Sequence, residues 1–520
     1  MRADWMSLRN CLTCAPPLNQ HDQEQLRRAC DALVEVTADD LTELLALLLN
    51  HADAPAAQQR EVHDALLERL VLRQRRSRTP LRDQHREQIS LLHNKLGVDS
   101  PCRWRLLQWL ATAGSPPDLA QFLALLQDAP PQDSTVAALM IAPLFQAREM
   151  RPEILFPALL DGLQFPSLAA PILDLANYLF RSRRVTAHPA QFRCDELAEL
   201  LGRLAQRLSQ LEESPVDSPQ AWNEMRRQVD ESVALVVSLC DTLALCDAKQ
   251  AVGKLYQTLE LRHRRTRVEA AAALARLGDE PGTDVLLALA AEPSVRLRVL
   301  QAAKELQLVG RLDAHFTTPE AVAEAQIAVE LAQPTFFGIP PVELQLIDSR
   351  SQFWPGYEEP IPCFLFRYVY RFASGEYSNV AIAGPLVHAF AADLSDLPPA
   401  DIYAAYAGWH VEDEAIYDES LDERAATEYR ELPRLTASLT DAGYDSIQWT
   451  TLAHFLGDRA FAATATRGGT PGIVVCDDQV VEWFPIRTRR NALGPFEALC
   501  IYKGRRMLRS FNPPSTSADE

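Results

Sequence analysis

Apolar residues in the first two thirds of the chain recur at helical spacing, and short polar connections separate them. The leucine-rich stretch 44–49 follows Thr37-Ala-Asp-Asp40, in which a threonine precedes an acidic residue by three positions, close to a capping box. The pattern predicts helices over 21–36, 39–50, 57–76, 81–96, 101–113, 117–127, 134–147, 152–162, 166–181, 193–213, 219–246, 248–260, 264–277, 281–291, 294–307 and 319–332. This succession is typical of an α-solenoid of helix pairs.

The pattern changes to that of strands after about residue 336. Residues 342–347 alternate as a half-buried strand does, and the aromatic stretch 363–372 is followed by a turn at Gly375 and a hairpin partner at 377–383. The remaining predicted elements are helices at 398–409, 425–442 and 446–456, and strands at 460–466, 472–476, 480–485, 496–502 and 506–511. The sequence therefore predicts a mainly α protein whose C-terminal domain is antiparallel α+β.

Composition places the boundary between these two regions. Residues 1–335 hold 8 of the 20 glycines and 13 of the 39 aromatic residues, although they form the longer part. We therefore predict a helical domain at 1–335 and an α+β domain at 336–520. Because a terminal solenoid repeat has no neighbour to cover its last apolar face, we expect the second domain to pack on the final helices.

One internal repeat is visible between residues 264 and 308. At a constant offset of 29 residues, Arg267, Leu274 and Leu277 correspond to Arg296, Ala303 and Leu306. The stretch Gly278-Asp279-Glu280-Pro281 lies between the two blocks and ends one helix before the next begins.

These residues resemble the HEAT repeat, in particular the short bacterial subclass also found in phycobilin lyases. Its pattern is Val-Arg, then alanines and leucine, then Leu-Gly-Asp. The chain departs from it at Thr266, where valine is expected, and at Gln307, where glycine is expected. The resemblance implies two antiparallel helix pairs over 248–308 and a structural role for Arg267 in bonding to a neighbouring repeat. We expect four leucines to be buried between these helices, namely Leu274, Leu277, Leu286 and Leu289.

Composition and charge narrow the class of protein. The 520 residues are 47% apolar and 23% charged, as in globular proteins, and the longest apolar stretch, 232–246, is too short to span a bilayer. The net charge of -19 disfavours nucleic acid and anionic lipid as partners of the whole surface. Ten scattered cysteines predict reduced thiols and a cytoplasmic location, and 46 arginines against 5 lysines indicate a GC-rich, bacterial genome.

Cys11 and Cys14 have the spacing of a redox pair or of half a zinc site. Zinc would need two more ligands, for which His21 and Cys30 are the close candidates, and a redox pair is expected between a strand and a helix. We expect neither, and predict that the cysteines are reduced and hold no metal.

A basic cluster interrupts the acidic composition. It consists of Arg69, Arg73, Arg75, Arg76, Arg78, Arg82 and Arg86. Such a cluster can bind phosphate or a polyanion, whereas the absence of aromatic residues leaves no platform for base stacking. The alternative is a solvated helix face.

Candidate catalytic residues occur in the second region. His388, Asp393, Asp396 and His410 supply imidazoles and carboxylates for a metal site or for acid–base catalysis. They lack the pairing of two histidines at i and i+4 that marks a zinc helix. The alternative is that the aspartates cap loops and that His410 ends a helix.

Several enzyme classes are excluded by missing motifs. The chain has no Gly-x-Ser-x-Gly elbow, no Walker loop and no dinucleotide-binding fingerprint. It also lacks the His-Glu dipeptides with which iron hydroxylases built on HEAT repeats bind their metal, and the basic groove that glycosylases on that scaffold need.

The leading hypothesis is a non-enzymatic scaffold or adaptor that binds a protein partner on its concave solenoid surface and requires no cofactor. The alternative is an enzyme, or a protein binding a small ligand or metal, with its site in the C-terminal domain. A third hypothesis, a chromophore lyase, follows only from the repeat subclass.

Overall fold

The structure is a computed structural model. It describes residues 37–50, 57–77, 80–97, 100–147, 151–213, 219–333, 337–388, 393–410, 414–421, 429–477, 479–486 and 493–512. The predicted helix 21–36, the pair Cys11 and Cys14 with His21 and Cys30, and Arg78 lie outside these residues. The chain divides into two compact units, Met1–Leu286 and Leu287–Glu520.

The first unit is helical throughout its described residues. Its α-helices are α1 (Ala38–Asn50), α2 (Ala57–Ser77), α3 (Asp83–Lys95), α4 (Pro101–Ala113), α5 (Pro116–Asp128), α6 (Ser134–Phe145), α7 (Pro152–Leu155), α8 (Ala158–Asp161), α9 (Pro166–Arg181), α10 (Cys194–Glu213), α11 (Pro219–Leu245), α12 (Val252–Leu259), α13 (Arg264–Arg276) and α14 (Glu280–Ala288). Where one helix was predicted over 152–162, two short helices flank a cis Phe156–Pro157 peptide.

The helices of the first unit pack in two layers. Helices α2, α4, α6, α9, α11 and α13 contact one another in succession and form one layer. Helices α1, α3, α5 and α7 contact one another in succession in the other layer, and α10 contacts α12. One apolar core runs through the stack from Leu41 to Leu277. Contact between successive neighbours is the packing pattern of a helical solenoid.

The turn between α13 and α14 follows from its sequence. Gly278 has a φ of 78°, a left-handed conformation that glycine adopts without steric cost. Asp279 then caps α14 by accepting a hydrogen bond from the Gly282 backbone N–H at 2.7 Å, and it also accepts one from the Tyr256 hydroxyl at 2.6 Å. The helices over 252–305 lie where they were predicted, and the leucines predicted to be buried there are at most 4% exposed: Leu274, Leu277, Leu286 and Leu289.

The second unit combines helices with two antiparallel sheets. After the end of α14 its elements are α15 (Pro293–Glu305), α16 (Pro319–Leu331), β1 (Glu343–Gln352), β2 (Ile361–Phe372), β3 (Gly375–Ala383), β4 (Val387–His388), α17 (Pro399–Trp409), β5 (Ile416–Ser420), α18 (Glu431–Asp441), β6 (Tyr444–Phe455), β7 (Asp458–Arg467), β8 (Thr470–Cys476), β9 (Val481–Pro485) and α19 (Pro495–Phe511). The strands pair in chain order, β1 to β4 in one sheet and β5 to β9 in the other. The predicted fold class is confirmed.

Both sheets are covered on both faces. In β2, Phe364 and Phe366 pack with Ile327 of α16, while Cys363 and Leu365 face a core that contains α17 and α19. In the second sheet, one face of β7 joins the same core and the other packs against α18. Five layers result: α16, the first sheet, α17 with α19, the second sheet, and α18.

Within the second unit, the first sheet packs on α16, the last helix of the predicted helical run. Ile327 and Leu331 of α16 lie in one apolar cluster with the aromatic face of β2. The Tyr370 hydroxyl donates a hydrogen bond of 2.7 Å to the carbonyl oxygen of Leu331. The sheet therefore covers an apolar face of α16, and the predicted domain boundary at residue 335 stays a prediction.

In the second unit, two predictions gave the wrong type of secondary structure. Residues 496–502 and 506–511 form one helix, α19, and not two strands. Pro495 occupies its first turn, and the Glu497 carboxylate accepts a hydrogen bond from the Gly494 backbone N–H at 2.9 Å, which starts a helix. Residues 446–456, predicted as a helix, belong to strand β6, which pairs with β7 across a tight turn.

The second unit contains an internal repeat that the sequence interpretation missed. The order helix, four strands, helix occurs twice, as α16 to α17 and again as α18, β6 to β9 and α19. The final helices of the two copies match at an offset of 96 residues, with Pro399, Asp401, Ala404, Tyr406 and Gly408 corresponding to Pro495, Glu497, Cys500, Tyr502 and Gly504.

The contact between these two helices is reciprocal. Gly408 lies against the backbone of Cys500, and Gly504 lies against the backbone of Ala404. A Cβ atom at Gly408 would stand 2.0 Å from the Cys500 carbonyl oxygen, and one at Gly504 would stand 1.8 Å from that of Ala404. Glycine is therefore required at both positions for the two backbones to approach so closely.

Candidate functional site

The two predicted catalytic histidines lie in different settings. His388 ends the short edge strand β4 and is half-buried. Burial lowers the pKa of its imidazole, and the carboxylate of Glu330 on α16 acts in the opposite direction. His410 is exposed and forms the C-cap of α17, where its backbone N–H donates to the Tyr406 carbonyl oxygen. His410 thus occupies the helix end that the alternative interpretation gave it.

The two predicted aspartates belong to the loop before α17. The Asp393 carboxylate accepts a hydrogen bond of 3.0 Å from the Ser395 backbone N–H, which makes it a turn residue. Asp396 is exposed. Among the described residues, no group of three or more histidine, cysteine, aspartate or glutamate side chains is arranged to hold a metal ion.

The predicted basic cluster is partly neutralised by carboxylates. Arg82 pairs with Asp39 at 2.6 Å, and Arg86 pairs with the buried Asp118 at 3.0 Å. Arg86 also donates to the Leu81 carbonyl oxygen, so that its guanidinium holds the start of α3. Arg69 and Arg73 are half-buried, whereas Arg75 and Arg76 are exposed on the last turn of α2.

A polar cleft of about 480 Å³ lies between α10 and α12. Both charge signs line it, and the ammonium of Lys254 stands 3.3 Å from a carboxylate oxygen of Glu199. Gly202 makes room for the lysine stem, because a Cβ atom there would come within 2.9 Å of the Lys254 Cδ. No motif along the chain predicts this cleft, because its two walls are helices that meet only in the folded structure.

A buried polar network joins α9 to α11. The Nδ1 atom of His188 accepts a hydrogen bond from the Ala190 backbone N–H at 3.2 Å, so its Nε2–H donates to Asn177 Oδ1 at 3.0 Å. Thr242 also donates to Asn177 Oδ1, and the Asn177 amide donates to the Ser238 carbonyl oxygen. Burial lowers the pKa of His188 to about 4. The imidazole is therefore a neutral part of the core, and both of its nitrogens are used structurally.

Charged side chains of α19 hold the second unit together. The ammonium of Lys503 is almost fully buried and contacts both carboxylate oxygens of Asp418 on β5, at 3.0 and 2.8 Å. Arg505 bridges Asp401 of α17 and Glu482 of β9. Each cation thus has a carboxylate partner, and the network fixes neighbouring elements to the helix.

Among the described residues of the first unit, two large aromatic side chains are exposed. Phe192, in the short 3-10 helix before α10, is 99% exposed, and Trp222, near the start of α11, is 52% exposed. The first half of α11, residues 220–231, carries mostly exposed or half-buried residues and is rich in charge. An aromatic side chain left in water and surrounded by polar residues is a candidate contact for a protein partner.

Comparison with known proteins identifies no family for this chain. No family model matches the chain, and no curated protein matches it. Among the described helices, none combines the length and apolar character needed to cross a bilayer. The candidate functional surfaces are therefore those that the geometry defines: the polar cleft and the exposed aromatic residues of the helical unit.

Proposed function

We propose that this protein is a non-enzymatic interaction scaffold whose helical unit binds a protein partner. The observation that carries the proposal is the two-layer stack, in which each helix contacts its successive neighbours. A stack of this kind offers a long surface on which an extended partner can lie, and the concave face is the surface that solenoids use in this way.

The proposal includes membership of the HEAT-like solenoids. Arg296, the repeat counterpart of Arg267, supports it, because its buried guanidinium donates to the Ala321 carbonyl oxygen at 2.7 Å and pairs with Glu324 at 2.6 Å, both on the following helix α16. Bonding of this arginine to the next helix is the structural role that the HEAT resemblance implies.

The left-handed turn of the second repeat block also supports the resemblance. Gln307 stands where the pattern has glycine, and its φ is 59°, in the same left-handed region as Gly278 at 78°. The backbone therefore keeps the turn of the pattern although the residue has changed.

The exposed aromatic residues provide contacts through which the proposal can be tested. Interfaces draw most of their binding energy from a few large side chains, with tryptophan, tyrosine and arginine prominent among them. Phe192 and Trp222 lie at opposite ends of the α10–α11 pair, because one precedes α10 and the other begins α11. A partner that touches both would extend along this pair.

The test is affinity purification of the full chain from its own cells with quantitative mass spectrometry. Wild type is compared with Phe192→Ser, Trp222→Ser and a control, Leu139→Ser, which removes a side chain that is 53% exposed on α6. We expect a specific partner whose recovery falls about tenfold or more in at least one aromatic variant and stays unchanged in the control. Equal recovery in all variants, with unchanged thermal stability, would contradict binding at these residues.

A further inference from the structure

The two copies of the repeat in the second unit differ at one sheet edge. In the second copy, β5 pairs antiparallel with the outer edge of β6, from Ile416 opposite Phe455 to Ser420 opposite Thr451. In the first copy, β1 occupies the position of β6 and pairs with β2 on one side. No strand among the described residues pairs with its other edge. The described first sheet thus lacks the strand that β5 adds to the second sheet.

The hairpins that follow β1 and β6 give the residue equivalence between these two strands. In each copy the next two strands join through a two-residue turn, and β3 and β8 begin 95 residues apart. This offset makes Phe366 of β2 equivalent to Phe461 of β7, and each lies on the face that packs against an outer helix. Their partners across the ladder are Leu346 of β1 and Leu452 of β6. Leu346 is therefore the counterpart of Leu452.

The two equivalent leucines differ in exposure. Leu452, which lies opposite Glu419 of β5, is fully buried, whereas Leu346 is 39% exposed. Two apolar neighbours, Val342 and the bulge residue Ile347, are 53% and 39% exposed. Sheet edges that must stay unpaired commonly carry charged residues or proline at exposed positions. The edge of β1 therefore presents apolar side chains where the second sheet has a further strand.

We propose that the outer edge of β1 binds an extended segment of a partner protein, which pairs with it as an antiparallel strand in the way that β5 pairs with β6. In strand addition of this kind, main-chain hydrogen bonds supply the affinity and alternate side chains supply the specificity. The site belongs to the second unit and does not depend on the partner surface proposed for the helical unit.

The face of β1 towards α16 determines one property of the partner segment. Leu344 packs on this face, next to the apolar cluster that contains Ile327 of α16. Leu346 shares the face, because side chains two residues apart in a strand point the same way. A residue of the partner opposite Leu346 should therefore be apolar. β6 also has bulges and still accepts β5 directly after the last of them, so a bulge does not prevent strand addition.

The opposite face of β1 determines a second property. Asp348 is the counterpart of Ala453, the residue directly opposite Asp418 of β5. In the second copy the acid lies on the added strand, and the ammonium of Lys503 on α19 contacts it at 2.8 Å. In the first copy the acid lies on β1 itself, and α17 has Ala407 at the position of that lysine. A partner residue opposite Asp348 should therefore be basic.

The charge around β1 also favours a basic segment. Asp348 pairs with Arg350 at 2.5 Å, and the guanidinium of Arg350 stands 4.2 Å from the ring centre of Tyr403, which places the pair on the α17 side. Residues 341–360, which are β1 and its flanking loops, hold four carboxylates and one arginine. With a net charge of -19, a second molecule of this chain is repelled, whereas a basic segment is attracted.

The probe is a short synthetic peptide of alternating valine and lysine, labelled with a fluorophore and titrated with the full chain. We expect saturable binding by fluorescence anisotropy and slower hydrogen exchange in β1 when the probe is bound. A second probe carries a methyl group on every backbone nitrogen, which keeps the side chains and the charge but removes the donors. Its affinity should be lower by about tenfold or more. Equal affinity of the two probes, or no binding of either, would overturn the proposal.

Two variants of the chain locate the site. Leu346→Lys places a positive charge on the edge of β1 and should weaken binding of the probe by about tenfold or more. The matched control is Val480→Lys, which changes a 43% exposed residue between β8 and β9 and should leave binding unchanged. Equal weakening in both variants, or slower exchange only outside β1, would contradict the assignment to this edge. Thermal stability is measured for both variants, and the methylated probe decides the question if Leu346→Lys does not fold.

The oligomeric state separates a partner segment from a second molecule of this chain. Sedimentation of the full chain should show no association that Leu346→Lys abolishes. A dimer of the unchanged protein that becomes a monomer in Leu346→Lys would overturn the proposal, because β1 would then pair with its counterpart in a second molecule.

Discussion

Replacement of Gly504 by alanine tests the close approach of α17 and α19. Glycine inside a helix ordinarily costs about 1 kcal/mol relative to alanine, so the exchange would stabilise an isolated helix. In this protein the added Cβ atom would stand 1.8 Å from the Ala404 carbonyl oxygen, where ordinary contacts are 3.4–4 Å. The neighbouring atom belongs to a backbone, which cannot swing aside as a side chain does. The two helices must separate, and both are packed between sheets.

The overpacking cost exceeds the gain in helix propensity. Extra atoms in a packed core cost about 1–3 kcal/mol, and the upper end applies where backbone must move. After subtraction of the propensity gain, we expect a net loss of about 2 kcal/mol in the free energy of unfolding. The repeat predicts a loss of similar size for Gly408→Ala, whose Cβ atom would stand 2.0 Å from the Cys500 carbonyl oxygen.

The assay is urea unfolding of the second unit within the full chain, followed by hydrogen exchange of peptides from α17 and α19. The matched control is Gly310→Ala, because Gly310 belongs to the same unit and a Cβ atom there meets nothing within 4 Å. If Gly504→Ala is as stable as the control or more stable, the close approach of the two backbones is refuted.

Three further predictions concern the repeat region and the cysteines. Leu277 is 3% exposed, so Leu277→Ala should cost about 2–5 kcal/mol in urea unfolding, and a loss below about 1 kcal/mol would contradict the buried leucine. Gln307 has a left-handed backbone conformation that a side chain disfavours, so Gln307→Gly should stabilise the fold by about 1 kcal/mol and raise the melting temperature. Gly278→Ala places a side chain in the same conformation and should lower the melting temperature. The purified chain should contain no stoichiometric metal, and one zinc per chain would refute the prediction that Cys11 and Cys14 are metal-free thiols.

Local sequence patterns located most helices and strands because each rests on contacts close along the chain. Cys363–Phe372 was predicted correctly as a strand, since alternating aromatic and β-branched residues suit a sheet covered on both faces. The segment 496–511 misled the same reasoning. Lys503-Gly504 looks like a hairpin turn, whereas Gly504 is the point where two helix backbones meet. That role depends on a helix 96 residues earlier in the chain, beyond any local pattern.

Local sequence patterns also fail to locate candidate sites that depend on contacts between distant parts of the chain. The sequence singled out His388, Asp393, Asp396 and His410 because they are close along the chain, but Asp393 belongs to a turn and His410 to a helix end. The polar cleft went unnoticed because Glu199 of α10 and Lys254 of α12 are brought together only by the packing of these two helices. Spacing along the chain finds sites on single elements, while sites shared by packed helices require the tertiary structure.

The buried histidines of the first unit predict how its stability depends on pH. Burial lowers the pKa of His188 and of His93 to about 4, and nearby Arg103 acts in the same direction on His93. Arg103 also donates a hydrogen bond of 3.1 Å to His93 Nε2, which requires a neutral ring. Both folded-state pKa values lie below the ordinary value of 6.5 that the unfolded chain recovers.

The sign of the effect follows from proton binding. The unfolded state takes up protons below pH 6.5 while the folded state does not, so the stability contribution is complete above pH 6.5 and is lost as pH falls towards 4. A shift of one pKa unit corresponds to about 1.4 kcal/mol, so acidification from pH 7.5 to pH 5 should lower the free energy of unfolding by about 2 kcal/mol for each histidine. Most carboxyl groups titrate below this pH range and contribute little to the change. Urea unfolding of wild type and of His188→Gln over this pH range measures the pH dependence of the free energy of unfolding. We expect the variant to be less stable at pH 7.5 and to lose about 2 kcal/mol less on acidification, and equal pH slopes would contradict a buried neutral His188.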